Sequence, residues 1–532
     1  MEHRTHIVHY RFLDKSIVAF KCYNLSLPPL PPNVENKVVQ QPFVLISALY
    51  NSKSRYYSDK KFVLLINAPV DGMIESTTFV AKSTNGTDHY QQNFVLFLAA
   101  PPNIVCKWTT YMAVFDSVEN PKSLEIGFGS KSVPVEFQLP YLKKRVQVGT
   151  CFSPIFFAEN WQLVVLAIEI YRHYGIKLQV VYLMSAIDGI FEILKAYNSK
   201  DVIEIEQWPS IKLEDQKYNN INLELDWRNQ ASAHTDCLMK YGYAAEFLIV
   251  GDLDDILVPD HGNYYEEFIR NDYRHKKNAV ALLYARYTVD INTTRKAANF
   301  SLFDALTTAK VAMYQPDDPK YVVNTSRAES LWIHWPYKIK PNTATRLVPS
   351  TEGRMLHFRN WHYSDETGNS TDNYMHMNVK NSVLWRSVAL NESFISTKSA
   401  RQMGKRFEKD IFKRNFGLFR NLPKQLHYFD QITKCYDKIF YSNDKQVTDC
   451  PGPHHCSVSP VNGLNCVIAK PTLEAKRNEN DEFFEFMTTI GEHFGGEFND
   501  AEKALELDLI DANAFLERLH RFATTFLIIG LK

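Results

Sequence analysis

Residues 246–260 read EFLIVGDLDDILVPD. The apolar run Phe247 to Val250 stops at Gly251, and Asp252, Asp254 and Asp255 follow within four positions. Each ionised carboxylate raises the cost of ionising its neighbour, so crowding of this kind at the end of a buried segment asks for a positive partner. Alternating Asp252 and Asp254 at a strand exit can direct two carboxylates at one hard cation, such as Mn²⁺ or Mg²⁺. A cation held by few protein ligands keeps positions open for phosphate oxygens and stabilises the charge that develops on a departing diphosphate. That is the chemistry of sugar-nucleotide transfer. The plainer reading is a capped or solvated turn ahead of Pro259. An Asp-x-Asp string alone is a weak signal, so its place in the fold has to decide.

The preceding elements set that place. RVQVGT (145–150) reads as a strand, followed by a helix beginning near Phe156 with Trp161, Val164, Val165, Ile168 and Tyr171 on one face and ending at Gly175. LQVVYLM (178–184) is a second strand, a helix from Asp188 turns Ile190, Ile193, Leu194 and Tyr197 inward, and VIEIE (202–206) is a third strand. Asp226 is the expected N-cap of a further helix, Trp227 to Tyr241, which stops at Gly242. Four strands, apolar on both faces and alternating with three helices, predict an α/β architecture with an open, mostly parallel sheet. Ligands bind outside the carboxyl ends of such strands, where the aspartates lie.

Upstream the pattern differs. FVLISAL (43–49), FVLLI (62–66), FVLFL (94–98), LEIGF (124–128) and VPVEFQL (133–139) are short apolar segments between turn-forming residues, with Asn85-Gly86 a turn signal, and they predict an antiparallel β-domain of sandwich type. LSLPPLPPN (25–33) is a stiff extended lead-in. The chain accordingly divides into a lead-in (1–39), a β-domain (40–142), the α/β domain (143–422), a Cys-rich segment (423–470) and an acidic, helical tail (471–532).

Sixty basic residues balance sixty acidic ones, so no net field attracts nucleic acid, and Lys143-Lys144-Arg145 and Arg274-His275-Lys276-Lys277 read as solvated faces. Of eight cysteines, Cys435, Cys450, Cys456 and Cys466 cluster in a Pro/Gly/Asn/Ser-rich stretch, as in an oxidised, loop-rich segment whose pairing is open among three arrangements. The rival is a zinc site from Cys450, His454, His455 and Cys456, whose spacing matches no common zinc pattern. Asn-x-Ser/Thr acceptors at Asn24, Asn85, Asn292, Asn299, Asn324, Asn369 and Asn391 favour a secretory route. No stretch approaches the ~20 apolar residues that span a bilayer, and the N-terminus has no signal-peptide core.

Several ordered segments together resemble glycosyltransferase family 92: CFSPIFFAENWQLVVLAIEIYRHYG (151–175), DWRNQASAHTDCLMKYG (226–242), FLIVGDLDDILVP (247–259), WIHWP (332–336), LHFRNW (356–361) and, upstream, SALYNSKSRYYSDKKFVLLI (47–66). They cover roughly residues 40 to 420. The resemblance implies a GT-A type fold, a UDP-sugar donor, UDP-galactose first among them, Mn²⁺, inversion at the anomeric carbon, a glycan or glycoprotein acceptor, and a Golgi membrane anchor that this chain does not show. It carries the metal motif onto Asp252 and Asp254: Asp254 on the metal, Asp252 on the metal, the ribose or both, with Asp255 beside them. A downstream histidine commonly completes such a site, and His357 is preferred to His334, either being also readable as a hydrogen-bonded core histidine.

Arg228 and Gln230 are placed to reach the nucleotide, with surface or packing roles as the alternative. Trp335 and Trp361 are candidates to stack on a sugar or base, or simply core. The carboxylate that an inverting transferase needs to deprotonate its acceptor is open between Asp290 and Glu329. Two other functions fit the same residues: a catalytically inactive relative that binds glycan or protein, and a nucleotidyltransferase, which would release pyrophosphate.

Overall fold

The computed structural model describes residues 43–469, with breaks at 71, 129–130, 212–219, 261, 275–276, 312–316, 350, 365–369, 375–393, 441–447, 460 and 462, together with the short strands Phe486–Thr488 and Leu509–Ile510. The proline-rich lead-in, the rest of the tail, and the acceptors at Asn24, Asn369 and Asn391 lie outside the described residues.

The first strands are β1 (Phe43–Asn51), β2 (Lys61–Pro69), β3 (Thr78–Thr84), β4 (His89–Val95), β5 (Phe97–Leu98), β6 (Trp108–Asp116), β7 (Ser123–Phe128) and β8 (Lys131–Val135), with a short helix α1 (Gly72–Ser76) after β2. They form two sheets, in the orders β1-β2-β6-β5 and β4-β3-β7-β8. Leu45, Phe62, Leu64, Phe79, Phe94, Phe115, Leu124 and Ile126 from both sheets fill one core, so the pair packs as a sandwich. The Asn85-Gly86 turn forms between β3 and β4, where Gly86 takes a φ of +99°.

The chain then enters β9 (Val146–Ile155), α2 (Trp161–His173), β10 (Gln179–Leu183), β11 (Ser185–Ile187), α3 (Asp188–Asn198), β12 (Ile203–Gln207), α4 (Gln230–Tyr241) and β13 (Ala245–Gly251). After the aspartate turn come β14 (Asp255–Val258), β15 (Ala279–Thr294), β16 (Lys310–Val311), β17 (Asp317–Asn324), β18 (Ala328–Leu331), β19 (Pro336–Ile339), β20 (Ala344–Leu347), β21 (Arg354–Ser364) and β22 (Ser370–Tyr374). The large sheet runs β12-β10-β9-β13-β17-β15-β21-β14. Its first half is the expected parallel set, since β10 pairs in parallel with β12 and β9, and β13 with β9. Beyond β13 it is mixed: β17 lies antiparallel to β13 and β15, and β14 antiparallel to β21. The sheet is therefore half parallel rather than mostly so, because most strands after the aspartates pair antiparallel with their neighbours.

The order of the parallel strands along the sheet is third, second, first, fourth. The reversal between β9 and β13 opens a crevice at their carboxyl ends, which is where an α/β sheet takes a ligand.

Two helices differ from expectation. α2 begins at Trp161, not Phe156, because Asn160 caps it by accepting the Leu163 N–H at 3.1 Å. It is also buried all round, from Trp161 to Tyr171, instead of on one face. The far side is covered by the segment around Arg406, whose guanidinium meets the buried Glu169 at 2.7 Å.

Only Cys435–Cys456 pairs within the Cys-rich segment. Cys450 bonds to Cys106 at the foot of β6, Cys151 in β9 bonds to Cys237 in α4, and Cys466 is buried and unbonded. With Cys450 and Cys456 both oxidised, the zinc alternative falls. Glu159 ties the segment down a second way: its buried carboxylate accepts N–H bonds from His427, Tyr428 and Phe429 at 2.8, 2.8 and 2.6 Å, anchoring the start of the helix Tyr428–Ile439.

The Cys106–Cys450 bond spans 344 residues. Replacing both cysteines by serine is expected to cost about 2–5 kcal/mol. A thermal melt should drop accordingly, and limited proteolysis should cut first within 423–469; an unchanged melt would show that this bond does not restrain the fold.

Candidate metal and nucleotide site

Between β13 and β14 the Asp255 N–H donates to the Asp252 carbonyl at 3.0 Å, closing a tight turn. β14 sets Asp255 directly opposite His357 of β21, and the Phe358 N–H donates to the Asp254 carbonyl at 2.9 Å. A turn and one strand pair thus bring Asp254, Asp255 and His357 together. One ligand atom from each lies within 4.8 Å of the others, and all three residues are buried. His357 Nε2 is 3.1 Å from Asp254 Oδ2 and 3.9 Å from Asp255 Oδ1.

Asp254 Oδ1 and Asp255 Oδ2 have no hydrogen-bond partner among the described residues. Buried carboxylate oxygens left open in this way are costly unless something occupies them. Two carboxylates and one imidazole suit a divalent ion of the Mn²⁺ kind and leave further coordination positions open.

The crowding of like charge also has an answer within the chain. Lys320 Nζ meets Asp252 Oδ2 at 2.8 Å and Asp255 Oδ2 at 3.8 Å. Arg228 lies 3.5 Å from Asp252 Oδ1, and Arg286 lies 3.4 Å from Asp255 Oδ1. Burial pushes the Asp252 carboxyl up, but Lys320 and Arg228 together reverse this and hold it well below its ordinary value. Asp254 has no such cation. Burial keeps its carboxyl above the ordinary value, with His357 opposing and the Asp255 and Asp252 charges adding to the rise.

Arg228 reaches Asp252 from a turn, not from the helix expected over 227–241. Trp227, Arg228 and Asn229 have φ of 42°, 66° and 57°, three successive non-glycine residues in the left-handed region. Each costs on the order of 1 kcal/mol or more, and such strain gathers at functional positions. The turn is held by the Trp227 N–H donating to the Pro451 carbonyl at 2.6 Å, by Trp208 Nε1 donating to the Arg228 carbonyl at 3.2 Å, and by Phe156, whose ring lies 4.5 Å from the guanidinium.

Gln230 opens α4 and bridges Ser153 Oγ at 2.6 Å and Asp252 Oδ1 at 3.1 Å. Ser153 also meets His234 Nε2 at 3.0 Å. A cavity of about 370 Å³ adjoins this corner, with Arg228, Asn229, Trp208, Glu204, Glu206 and Lys240 in its lining.

The remaining candidates are dispersed. His334 has Nδ1 3.0 Å from the Pro319 carbonyl, packs against Trp332 and takes no part in the aspartate cluster. Trp335 packs on Trp332 at 4.3 Å, and Trp361 is buried with its Nε1 donating to the Phe358 carbonyl, so both are packing residues here. Glu329 lies beside Tyr57 of the β1–β2 loop, and burial raises its carboxyl. Asp290 of β15 accepts from Asn360 Nδ2 at 2.6 Å. It lies two residues beyond Thr288, which pairs with His357. Lys320, Arg286 and Ser153 went unnoticed in the sequence: lone residues on strands, they reveal themselves only through strand pairing.

The glycosyltransferase family 92 model matches residues 146–398. The Caenorhabditis elegans glycosyltransferase family 92 protein F59C6.8 is 28% identical over 459 residues, 84% of this chain and 86% of its own length. A second protein of that organism and family, F13G3.3, is 26% identical over 439 residues, 80% of this chain and 85% of its own length. Among solved structures, S. aureus TarS 1–349 in complex with UDP aligns at 15% identity over 34% of this chain and 47% of its own, with a TM-score of 0.19, too low to define a shared fold. Residues 146–398 thus match the glycosyltransferase family 92 model, and the chain is similar to family 92 proteins over most of its length. That similarity supports a glycosyltransferase, a class that implies a nucleotide-sugar donor and a glycan acceptor.

His234 is fully buried, and burial together with Lys320 pushes its pKa from 6.5 to about 3. Between those values the unfolded chain binds a proton that the folded chain refuses, so stability falls as pH drops from 6.5 towards 3. Denaturant titrations across that range should show this slope in the wild type and a shallower one in His234→Gln; identical slopes would contradict a neutral, buried His234.

Proposed function

We propose that this chain is a metal-dependent, inverting glycosyltransferase of GT-A type that transfers galactose from UDP-galactose to a glycan or glycoprotein acceptor. The observation that carries the reading is the buried Asp254–Asp255–His357 cluster at the carboxyl end of β13, inside the family match. Those three side chains fit Mn²⁺, which when bound supplies charge compensation for the donor diphosphate.

The chain's own charges leave that compensation intact. Asp252 and Asp255 are offset by Arg228, Lys320 and Arg286, so the charge of a divalent ion is drawn on chiefly by Asp254. Asp252, held ionised, and Arg228, between it and the adjoining cavity, orient the nucleotide. Asp290 is the better placed of the two candidates to accept the acceptor's hydroxyl proton, because its strand pairs beside His357, whereas Glu329 lies beside Tyr57 of the β1–β2 loop.

An oxidising, secretory location, with Golgi membrane association, accords with three disulfides and with exposed acceptors at Asn292 and Asn299. Asn324 is buried and accepts from Ser326, so it is not an acceptor in the folded chain. No helix among the described residues is long and apolar enough to cross a membrane.

Release of UDP from UDP-galactose should require Mn²⁺ and stop with a chelator. Asp254→Asn should lower turnover by at least about a hundredfold, His334→Ala should leave it unchanged, and Asp290→Asn should lose turnover while still binding UDP. Absence of metal-dependent release from UDP-galactose, UDP-glucose and UDP-N-acetylglucosamine alike would overturn the reading.

A further inference from the structure

The left-handed turn that carries Arg228 needs something to hold it, and one holder comes from the other domain. Asn67 lies on β2 of the sandwich and has no exposed surface. Its Nδ2 donates to Asn229 Oδ1 at 3.1 Å and to Ser232 Oγ at 3.2 Å, while its Oδ1 accepts from Asn229 Nδ2 at 2.6 Å. Thr110 of β6, paired with Asn67 across the sheet, meets Ser232 Oγ at 2.7 Å. Asn229 itself sits at φ 57° immediately before α4 and makes no side-chain cap bond to that helix.

A polar side chain in the middle of an otherwise apolar, buried strand is expensive unless fully bonded. This one meets Thr109 and Thr110 of its own sheet only at 3.3 and 3.4 Å, and its shorter bonds go to Asn229 and Ser232. Asparagine is also the non-glycine residue that tolerates the left-handed region best, and its own amide is here committed to Asn67 instead of to a local turn.

We propose that Asn67 is a positioning residue: the β-sandwich clamps Asn229 in its left-handed conformation and so sets Arg228 against Asp252 and the adjoining cavity. The sandwich is then part of the site's machinery and not a separate binding module. The effect on donor binding rests on the transferase reading above; the effect on the turn does not.

The test compares wild type, Asn67→Ala, Asn229→Ala and Asn229→Gly in the full chain. Native-state hydrogen exchange of the 227–232 and 252–256 amides reads the turn, and calorimetry of UDP with Mn²⁺ reads the consequence. Asn67→Ala and Asn229→Ala should exchange faster and bind UDP roughly tenfold more weakly, the loss of one buried polar pair. Adding Asn229→Gly to Asn67→Ala should recover part of both, because glycine adopts this φ without strain. If Asn67→Ala does not fold, Asn229→Ala against Asn229→Gly makes the same comparison with the sandwich untouched. Unchanged exchange at 227–232 in both alanine variants would overturn the clamp. A wild type that fails to bind UDP would sink the transferase reading and leave the clamp to be judged by exchange alone.

Discussion

Three carboxylates within four residues at the end of a buried strand cannot stay ionised unless positive charge is brought to them. Water is excluded, so the compensation has to come from the chain or from a bound cation. Lys320 on β17, Arg286 on β15 and Arg228 on the turn before α4 all converge there, each at most 4% exposed. Removing one member of a buried pair of this kind leaves an uncompensated charge and costs about 3–5 kcal/mol. The convergence therefore constrains the fold: β17 has to lie beside β13, with β15 beyond it, and the chain before α4 has to turn back on itself.

That backward turn is where the rest of the molecule makes contact with the site. Asn67 grips it from the sandwich, Pro451, next to the Cys450 disulfide, accepts its Trp227 N–H, and Trp208 at the end of β12 holds its Arg228 carbonyl. Three elements distant in sequence thus share the cost of three left-handed residues.

What could be read in the sequence follows from the range of the interactions. The parallel strands were legible because both their faces are buried and their apolar runs are continuous; the turn at Asp252 was legible because Gly251 and the carboxylates interrupt such a run. α3 begins at Asp188 as read, since its inward face of Ile190, Ile193, Leu194 and Tyr197 is a local pattern. By contrast, Asp226 followed by helix-compatible residues looked like an ordinary helix start, and only long-range bonds to Asn67, Trp208 and Pro451 show why residues 227–229 coil the other way. Disulfide partners were equally invisible, because Cys106 and Cys450 meet in space across 344 residues. His357 and His334 have similar local surroundings in the sequence, and it is the β14–β21 register, pairing Asp255 with His357, that separates them.

The same register brings Asp254 and Asp255 beside His357, while Asp252 stands apart from that group. Alternation along a strand would aim Asp252 and Asp254 to one side, but β13 ends at Gly251 and the intervening residues form a turn, which turns Asp252 toward Lys320 and Gln230. Asp252 and Asp255 are matched to lysine and arginine, whereas Asp254 faces the His357 imidazole and keeps one oxygen open. A carboxylate buried without a protein cation is the one whose charge an incoming ion can satisfy most fully. A single turn thus sets Asp252 against Lys320 and Arg228 while it turns Asp254 and Asp255 toward His357, where an exogenous cation would fit.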